Sequence, residues 1–385
     1  MKPATELLQG QGVNPDAAPL TTPVYETTTF LFESAEEVRA YNEGTSPKFL
    51  YSRYSNPTVL AVERTIARLE GAASAMVLSS GQAATTTALM AFLSAGDEVV
   101  CCSAIYGGTL HLLSDLLAKF GVRPRFVSVE ELGTPESIFS ESTKLVWFES
   151  PVNPTLRCVD IAAVASACRA RNVISVVDNT FASPINQQPI ALGIDVVMHS
   201  ATKYLNGHAD VTAGALAGPA DLMTRVLEAR KKMGTVLDPH AAYALGRGLK
   251  TLSVRIERHN ANAMAIARWL SNDRRVERVY YPGLEDHPDH ALAARQMSGF
   301  GGMVCVDLGG GYERAAAFFD RLTVFRRAAS LGGVESLCSL PVLTSQWGHS
   351  KEELARAGVT DGMARLSVGL EDVDDLIADL DQALT

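Results

Sequence analysis

Short apolar runs alternate with helical patterns over much of the chain. The runs that have the length of buried strands lie at residues 75–78, 98–102, 125–129, 145–148, 174–177 and 196–198. Apolar residues at helical spacing predict helices over residues 34–42, 57–70, 110–120 and 161–171. Because short buried strands alternate with helices, the pattern predicts an α/β fold with a mainly parallel, doubly wound sheet.

A second, smaller α/β unit is predicted beyond a long helical stretch over residues 242–271. Its strands are predicted at 276–280, 302–308 and 364–368. Residues up to about 50 contain five prolines and many threonines and glycines, which is typical of an extended arm. We therefore divide the chain into an N-terminal arm (1–53), a large domain (54–250) and a C-terminal domain (251–385).

Composition and charge narrow the functional classes. The 385 residues are 47% hydrophobic, and 34 basic against 43 acidic residues give a net charge of −9, which argues against nucleic-acid binding. No run approaches the ~20 apolar residues of a membrane span, and the first residues lack a signal-peptide core, so we expect a cytoplasmic protein. The six cysteines form no C-x-x-C pair and are expected to be reduced. His287 and His290 have no further ligands nearby in sequence, so no metal site is predicted.

Polar side chains follow the strand predicted at 196–198. Ser200, Thr202 and Lys203 come just beyond its carboxyl end, where open α/β sheets bind their ligands. A lysine whose pKa is lowered by burial can form a Schiff base with an aldehyde, and the neighbouring hydroxyls can hold a phosphate. From these residues alone, a solvated loop lysine is the alternative.

A carboxylate ends the preceding predicted strand. Asp178 stands 25 positions before Lys203 and could keep a pyridinium nitrogen protonated, so that the ring accepts electrons. The alternative is a helix N-cap. Asp178 and Lys203 at successive strand ends together favour a site for pyridoxal 5′-phosphate (PLP).

Three further strand ends carry groups that suit the same cofactor. Gly81 and Gln82 lie between a strand and a helix, where backbone N–H groups can bind a phosphate. Tyr106 could stack on a ring, and Asn153 would face the same crevice. Each motif alone is weak, and the generic turn of an α/β fold explains the first equally well, but five complementary strand ends predict one cofactor site.

Eight motifs from about residue 15 to the C-terminus make the chain resemble the Cys/Met-metabolism PLP enzymes. They are YSRYSNPT, SSGQAA, YGGT, ESPVNPTL, VVDNTF, HSATKY, SLGGVESL and ARLSVGLED. This family contains cystathionine γ-synthase, cystathionine γ- and β-lyases, methionine γ-lyase and O-acetylhomoserine sulfhydrylase. The resemblance implies an aspartate-aminotransferase-like fold (fold type I), PLP as cofactor, and a homotetramer of two active dimers.

The same resemblance implies roles for residues that would contact the cofactor. Lys203 would form the Schiff base, Asp178 would pair with the pyridinium nitrogen, and Tyr106 would stack on the ring. Residues implied to hold the phosphate within one chain are Gly81, Gln82, Ser200 and Thr202.

Five other residues would act across a subunit interface or on the substrate. Tyr51 and Arg53 are implied to reach the phosphate of the neighbouring subunit. Arg365, together with Ser330 and Asn153, is implied to bind the substrate α-carboxylate. Arginine suits this task because its planar fork matches a carboxylate. A structural salt bridge is the alternative for Arg365.

Specificity within the family depends on positions near these motifs. Ala329 and His111 stand where relatives that act on cystathionine tend to have a glutamate and an arginine. Two polar side chains that could bind the second amino-acid head group of the substrate are therefore absent. Leu331 stands where β-lyases tend to carry an aromatic residue. Gly108, in contrast, stands where methionine γ-lyases often have cysteine. Residues 346–349 receive no role.

The sequence therefore predicts a PLP-dependent γ-lyase acting on L-methionine or a similar thioether amino acid. In this scheme Lys203 moves protons from Cα and Cβ, and Tyr106 protonates the departing thiolate. Cystathionine γ-lyase and a γ-replacement transferase (cystathionine γ-synthase or O-acylhomoserine sulfhydrylase) stay open, as does a PLP-fold protein that has lost catalysis.

Overall fold

Twelve strands form two sheets in the computed structural model, which describes residues 2–8, 19–348 and 350–385. The first sheet contains β1 (Ser74–Leu78), β2 (Glu98–Cys102), β3 (Arg123–Val127), β4 (Thr143–Glu149), β5 (Ile174–Asp178), β6 (Val196–His199) and β7 (Gly214–Gly218). Their spatial order is β1-β7-β6-β5-β4-β2-β3. From β6 to β3 all neighbours are parallel, whereas β7 is antiparallel to both β1 and β6. The predicted α/β class is confirmed.

Strand β7 is the one member of this sheet that the hydrophobic pattern did not predict. Its sequence, GALAG, contains only small residues and one leucine, which have little β propensity. The small residues are required by close packing. A Cβ at Gly218 would stand 2.6 Å from the carbonyl oxygen of Asp195, and a Cβ at Gly214 would meet the backbone at Ser80.

The second sheet lies in the C-terminal part of the chain. It contains β8 (Arg278–Tyr280), β9 (Met303–Asp307), β10 (Arg326–Arg327), β11 (Leu337–Ser339) and β12 (Met363–Ser367). The order is β10-β11-β12-β9-β8, and every pair is antiparallel except β10 with β11. The predicted strands correspond to β8, β9 and β12. Strands β10 and β11 were not predicted, because strands of two or three residues are too short to show a hydrophobic repeat.

Fifteen α-helices are present among the described residues. They are α1 (Pro3–Leu8), α2 (Ala35–Asn42), α3 (Pro57–Glu70), α4 (Gly81–Phe92), α5 (Gly107–His111), α6 (Val129–Leu132), α7 (Ile161–Ala170), α8 (Ser183–Asn186), α9 (Ala220–Met233), α10 (Pro239–Leu249), α11 (Leu252–Ser271), α12 (His290–Gln296), α13 (Gly311–Arg321), α14 (Lys351–Arg356) and α15 (Val373–Ala383).

Two helix predictions need correction. The single helix expected over residues 110–120 is instead the end of α5, a π-helical turn (Leu112–Leu116) and a 3₁₀ turn (Leu117–Phe120). The stretch over 242–271 is two helices, α10 and α11, separated at residues 250–251. Helix α3, in contrast, begins after the Asn56 cap and ends at Gly71 in the left-handed conformation, as its sequence predicted.

Apolar side chains cover both faces of the seven-stranded sheet. Along β4, Leu145 and Trp147 join the core beneath α4 and α9, while Val146 and Phe148 join the core beneath α7. A third and larger core unites α3, α10 and α11 with the second sheet. This layering leaves the carboxyl ends of the parallel strands open toward the C-terminal part of the chain.

The N-terminal segment is less extended than expected. It includes α1, whose Leu7 is buried against the core of α3 and α11, and α2. Residues 9–18, with Pro15, lie outside the described residues. The two sheets fall on either side of residue 250, and the three-part domain division stays a prediction. Within the described residues, no helix has the length and apolar character needed to cross a membrane.

Candidate active site

A cavity of about 510 Å³ lies between the carboxyl ends of the parallel strands and the second sheet. Loops that leave β1, β2, β4, β5 and β6 form one wall, and residues around β10, β11 and β12 form the other. This position, beyond the carboxyl edge of an open sheet, is where α/β proteins bind ligands. The predicted site residues that line the cavity are Gly81, Gln82, Tyr106, Asn153, Asp178, Ser200, Thr202, Lys203, Ser330 and Arg365.

Lys203 enters the cavity from the turn that follows β6. Its Nζ donates a hydrogen bond to Ser330 Oγ at 2.9 Å. Burial, and to a smaller extent the positive charge of Arg365, lowers the pKa of Lys203 below its ordinary value. A lysine in this environment holds more of the neutral amine, which is the form that acts as a nucleophile or base.

Asp178 ends β5 on the floor of the cavity. Its Oδ1 accepts hydrogen bonds from the backbone N–H of Thr180 at 2.9 Å and from the Thr180 hydroxyl at 2.5 Å. Burial raises the pKa of Asp178, and the Thr180 bonds act in the opposite direction. Helix α8 begins only at Ser183, so the N-cap alternative does not describe this residue.

The start of α4 forms a cradle that suits an anion. Ser80 caps the helix and accepts a hydrogen bond from the Ala83 N–H at 2.9 Å. A Cβ at Gly81 would stand 2.8 Å from Ser200 Oγ, so only glycine lets the helix start approach that hydroxyl. Backbone N–H groups at a helix start beside a serine hydroxyl are typical of a phosphate site.

Gln82 and Thr202 line the same end of the cavity, but their polar groups already have partners. Gln82 Nε2 donates to the carbonyl of Gly108 at 3.0 Å. The Thr202 hydroxyl donates to the carbonyl of Ala213 at 3.1 Å and accepts from the Ala213 N–H at 2.9 Å. Their implied contacts with a phosphate stay predictions.

Tyr106 stands at the mouth of the cavity with 52% of its surface exposed. Its ring lies against Gly108, where a Cβ would collide with the ring and would stand 2.9 Å from Gln82 Oε1. Its backbone N–H donates to Glu149 Oε1 at 2.7 Å. The position of the ring therefore depends on the absence of a side chain at residue 108.

Glu149 is a cavity residue to which the sequence analysis gave no role. It ends β4 as Asp178 ends β5, and the two are paired across the parallel strands. Burial and the neighbouring Asp178 raise the pKa of Glu149 to about 8. The signal that selected Asp178, an acid at the end of an apolar strand, was also present here.

The second sheet contributes a buried cation. Arg365 lies on β12 and donates to Asn153 Oδ1 at 2.9 Å. Burial lowers the pKa of Arg365 from its ordinary value. None of the salt bridges found among the described residues involves Arg365, so the structural-ion-pair alternative does not apply there. A buried arginine that faces a cavity suits a carboxylate ligand.

Two predicted residues lie outside the cavity. Tyr51 and Arg53 border a different surface hollow, next to Leu237. Arg53 donates to the carbonyl of Lys231 at 2.5 Å, and its guanidinium lies 4.9 Å from the centre of the Tyr54 ring. The single chain does not bring Tyr51 and Arg53 to the other site residues, and their action across a subunit interface stays a prediction.

The remaining cavity wall is apolar or weakly polar. Ala329, Leu331 and Leu343 line it together with neighbouring serine and threonine side chains. Among the lining residues that the structure describes, the charged side chains are those of Glu149, Asp178, Lys203 and Arg365. Of the unassigned segment 346–349, Gln346 is buried, Trp347 is 70% exposed, and His349 lies outside the described residues.

The surroundings of the cysteines and of His290 do not indicate a further catalytic or metal-binding site. All six cysteines are buried and unpaired, and burial raises their pKa, for example to about 12 for Cys102. His290 donates from Nδ1 to the carbonyl of Pro282 at 2.8 Å. The described residues contain no group of three or more side chains that could hold a metal ion.

These residues fit PLP. One cavity holds a lysine of lowered pKa, a buried carboxylate, an anion cradle closed by Gly81, and an aromatic ring at its mouth. A Schiff-base lysine, a partner for the pyridinium nitrogen and a phosphate site are what PLP requires. Lys203, Asp178, Gly81 and Ser200 are the residues that would hold it.

Known proteins resemble this chain over nearly its whole length. The family model described as Cys/Met metabolism PLP-dependent enzyme matches residues 4–385. L-methionine gamma-lyase of Pseudomonas putida is 44% identical over 367 residues, covering 95% of this chain and 92% of that protein. Cystathionine gamma-lyase of Mus musculus is 45% identical over 343 residues, covering 89% and 86%. The crystal structure of metB from Corynebacterium glutamicum matches with a TM-score of 0.93 at 38% identity, covering 100% of this chain and 98% of that chain.

Proposed function

Because the chain belongs to the Cys/Met-metabolism family of PLP-dependent enzymes, we propose that it is a γ-lyase for L-methionine or a similar uncharged thioether amino acid. With methionine, the Cγ–S bond breaks and water enters. One methionine and one water then give methanethiol, 2-oxobutanoate and ammonium. The relatives include L-methionine gamma-lyases and a cystathionine gamma-lyase, so the choice between substrates must come from this chain's own cavity.

The distribution of charge in the cavity is the observation that favours an uncharged thioether. In the described part of the lining, the charged groups are Glu149, Asp178, Lys203 and Arg365. Each of these groups is suited to binding the cofactor, to binding the substrate α-carboxylate, or to positioning other residues of the site. None is left to bind the second ammonium and carboxylate of cystathionine, and an apolar wall with Ala329 and Leu343 suits an alkyl group on sulfur.

Arg365 is the residue proposed to bind the substrate α-carboxylate. Its guanidinium is buried and already oriented by the hydrogen bond to Asn153. A preformed arginine fork costs little entropy when a carboxylate arrives, and the charge-assisted bonds are strong where water is excluded. Substrate binding would thereby fix the amino-acid end and direct the side chain toward the apolar wall.

Lys203 is proposed to move the protons. Bound PLP supplies the electron sink that makes the Cα proton acidic. The amine of Lys203, whose pKa is lowered, would accept the proton from Cα, pass it to the bound cofactor and, once neutral again, accept a proton from Cβ. Ser330 accepts a hydrogen bond from this amine and so holds it at the boundary between the cofactor and substrate halves of the cavity.

Tyr106 is proposed as the acid that protonates the departing thiolate. Its ring lines the cavity at the mouth, and it is the one tyrosine among the described lining residues. A Tyr106→Phe variant should lose turnover by a larger factor than it loses PLP affinity. Equal losses would indicate that the hydroxyl serves PLP binding and is not the acid, and no loss would indicate that only the ring matters.

The decisive experiment measures 2-oxobutanoate released by the PLP-loaded enzyme from L-methionine alone. Parallel reactions contain cystathionine, or O-acetylhomoserine with cysteine. We expect 2-oxobutanoate and methanethiol from methionine without a second substrate. Product formation only when an activated homoserine and a thiol are both present would instead identify a γ-replacement transferase, with the same cofactor residues.

We also propose a cytoplasmic homotetramer in which Tyr51 and Arg53 reach the cavity of a neighbouring subunit. Support comes from their position, because both lie outside their own chain's cavity. Light scattering of the purified enzyme should give the mass of four chains. An Arg53→Ala variant should bind PLP more weakly, and a monomer that binds PLP normally would contradict the proposal.

A further inference from the structure

Two carboxyl groups, the buried Glu149 and the half-buried Asp178, lie side by side on the cavity floor, and only Asp178 has been given a role. Glu149 and Asp178 end neighbouring parallel strands and are paired in register. Glu149 is 5% exposed and lines the cavity. A buried acid is costly unless it makes specific bonds, so its contacts indicate what it does.

The contacts of Glu149 lead in two directions. Its Oε1 accepts the backbone N–H of Tyr106 at 2.7 Å, immediately before the start of α5. The backbone of Asn153, in the loop that follows Glu149, and the positive charge of Arg365 both lower the pKa of this carboxyl. The side chain of Asn153 in turn accepts from Arg365 at 2.9 Å. One carboxyl therefore bonds to the backbone of Tyr106 and lies within the electrostatic influence of the proposed carboxylate-binding pair.

We propose that Glu149 is a positioning residue that fixes Tyr106 relative to Asn153 and Arg365. Through it, the ring over the cofactor and the anchor for the substrate carboxylate keep a constant separation. The inference rests on the proposed assignment of this cavity as the active site. It does not depend on which thioether is the substrate.

The surroundings of Glu149 indicate that positioning does not need its negative charge. Burial and the charge of Asp178 raise the pKa of Glu149 to about 8, whereas Arg365 and the two backbone N–H groups act in the opposite direction. The charge of this carboxyl also raises the pKa of the Cys101 and Cys102 thiols, which lie on opposite faces of β2. These surroundings favour the neutral form of the carboxyl, and glutamine can supply the same acceptor oxygen.

Two substitutions separate the hydrogen bonds from the charge. Glu149→Gln keeps an acceptor, whereas Glu149→Leu fills similar space and leaves the Tyr106 N–H without one. The control is Asp379→Asn, which alters another buried carboxyl that accepts backbone N–H groups, at residues 323–325, away from the cavity. The readouts are PLP affinity by titration of the apoenzyme, circular dichroism of the bound cofactor, and kcat and KM.

We expect Glu149→Leu to weaken PLP binding about tenfold, to reduce the cofactor's circular dichroism, and to lower kcat/KM by at least about tenfold. Glu149→Gln should stay within about threefold of wild type in each measurement, and Asp379→Asn should lose thermal stability only. If the leucine variant does not fold, Glu149→Asp, which withdraws the carboxyl by one methylene, should show the same losses.

A second readout is the stability of the apoenzyme as a function of pH. Because the folded-state pKa of Glu149 is raised, the folded protein binds more protons than the unfolded chain between about pH 4.5 and 8. Wild-type stability contributed by this group is therefore lost as pH rises through that window. The urea midpoint of Glu149→Gln should rise relative to wild type between pH 5 and pH 8.

Two results would overturn the inference. Wild-type PLP affinity and circular dichroism in Glu149→Leu would show that the residue positions nothing. Equal losses in the glutamine and leucine variants would show that the charge is what matters. Both tests use the cofactor without substrate, so a failure of wild-type enzyme to cleave methionine would overturn the proposed function and leave this inference standing.

Discussion

The two walls of the cavity are built by different structural rules. On the wall from the seven-stranded sheet, Asp178 ends a strand, Lys203 follows one, and Gly81 begins the helix after one. On the opposite wall, Arg365 lies in the middle of an antiparallel strand, and Ser330 lies in the loop between β10 and β11. The first wall carries the residues proposed for the cofactor together with Asn153, and the second carries Arg365 and Ser330, which are proposed for the substrate.

The two walls meet through contacts between residues that are far apart in sequence. Asn153 meets Arg365 across 212 positions, and Lys203 meets Ser330 across 127. A close approach holds the walls together: a Cβ at Gly332 would stand 2.8 Å from the backbone N of Tyr204, directly after Lys203. The cofactor wall thus follows from sheet topology, and the substrate wall depends on packing between distant segments.

The largest expected effect tests the cofactor wall. Lys203→Ala removes the amine proposed to move protons, so kcat should fall by about 10³-fold or more. The holoenzyme should also lose its yellow absorbance. Lys119→Ala, which alters an exposed lysine away from the cavity, is the control and should behave as wild type. Wild-type turnover by Lys203→Ala would refute the catalytic scheme.

The next largest effect is expected from a substitution on the substrate wall that leaves the cofactor wall unchanged. Arg365→Gln should lower kcat/KM for L-methionine about 100-fold, because two charge-assisted hydrogen bonds are lost, while the cofactor absorbance is retained. Methioninamide lacks the carboxylate and serves as the matched substrate. An equal loss on the acid and the amide would mean that Arg365 does not bind the carboxylate.

A smaller effect is expected on substrate specificity when Ala329, on the same wall, is replaced. Ala329→Glu places a carboxylate on the apolar surface of the cavity. We expect kcat/KM for methionine to fall about tenfold and the ratio of cystathionine to methionine turnover to rise, because the new charge can pair with a distal ammonium. Ala329→Gln, of equal size and no charge, should not raise that ratio.

The smallest expected effect concerns the mouth, where the walls meet. Gly108→Ala should raise KM about threefold, because the new Cβ displaces the Tyr106 ring. The same substitution in a Tyr106→Ala background is the control, since no ring is left to displace. If the KM change persists there, the effect does not pass through the ring.

Elements with a strong local pattern were predicted from the sequence. The strand at 98–102 and the ends of α3 at Pro57 and Gly71 are confirmed, because a short apolar run, a proline start and a glycine end are local signals. Strand β7 was missed because its small residues are selected by close packing, not by propensity. The helix expected over 110–120 was wrong in type, since propensity does not distinguish α from π turns.

The sequence predicted some residues of the candidate site and missed others. Asp178 and Lys203 were predicted as site residues because each lies at the end of a predicted buried strand. Glu149 also lies at the end of such a strand, but its proposed role depends on the hydrogen bond from the Tyr106 N–H, which the sequence does not show. The environment of Thr202, which is bonded on both sides to Ala213, has no signature in sequence. Hydrogen-bond partners are a property of the folded chain.

The sequence by itself determined the α/β class, the family and the identity of the groups at the ends of the parallel strands, because strand alternation and motif residues are encoded locally. Only the tertiary structure decided that Arg365 is buried against Asn153 without an ion-pair partner among the described residues, and that Glu149 lies beside Asp178. It also placed Tyr51 and Arg53 outside their own chain's cavity. Burial and proximity arise from long-range packing, and they set the charge and orientation of each group in the site.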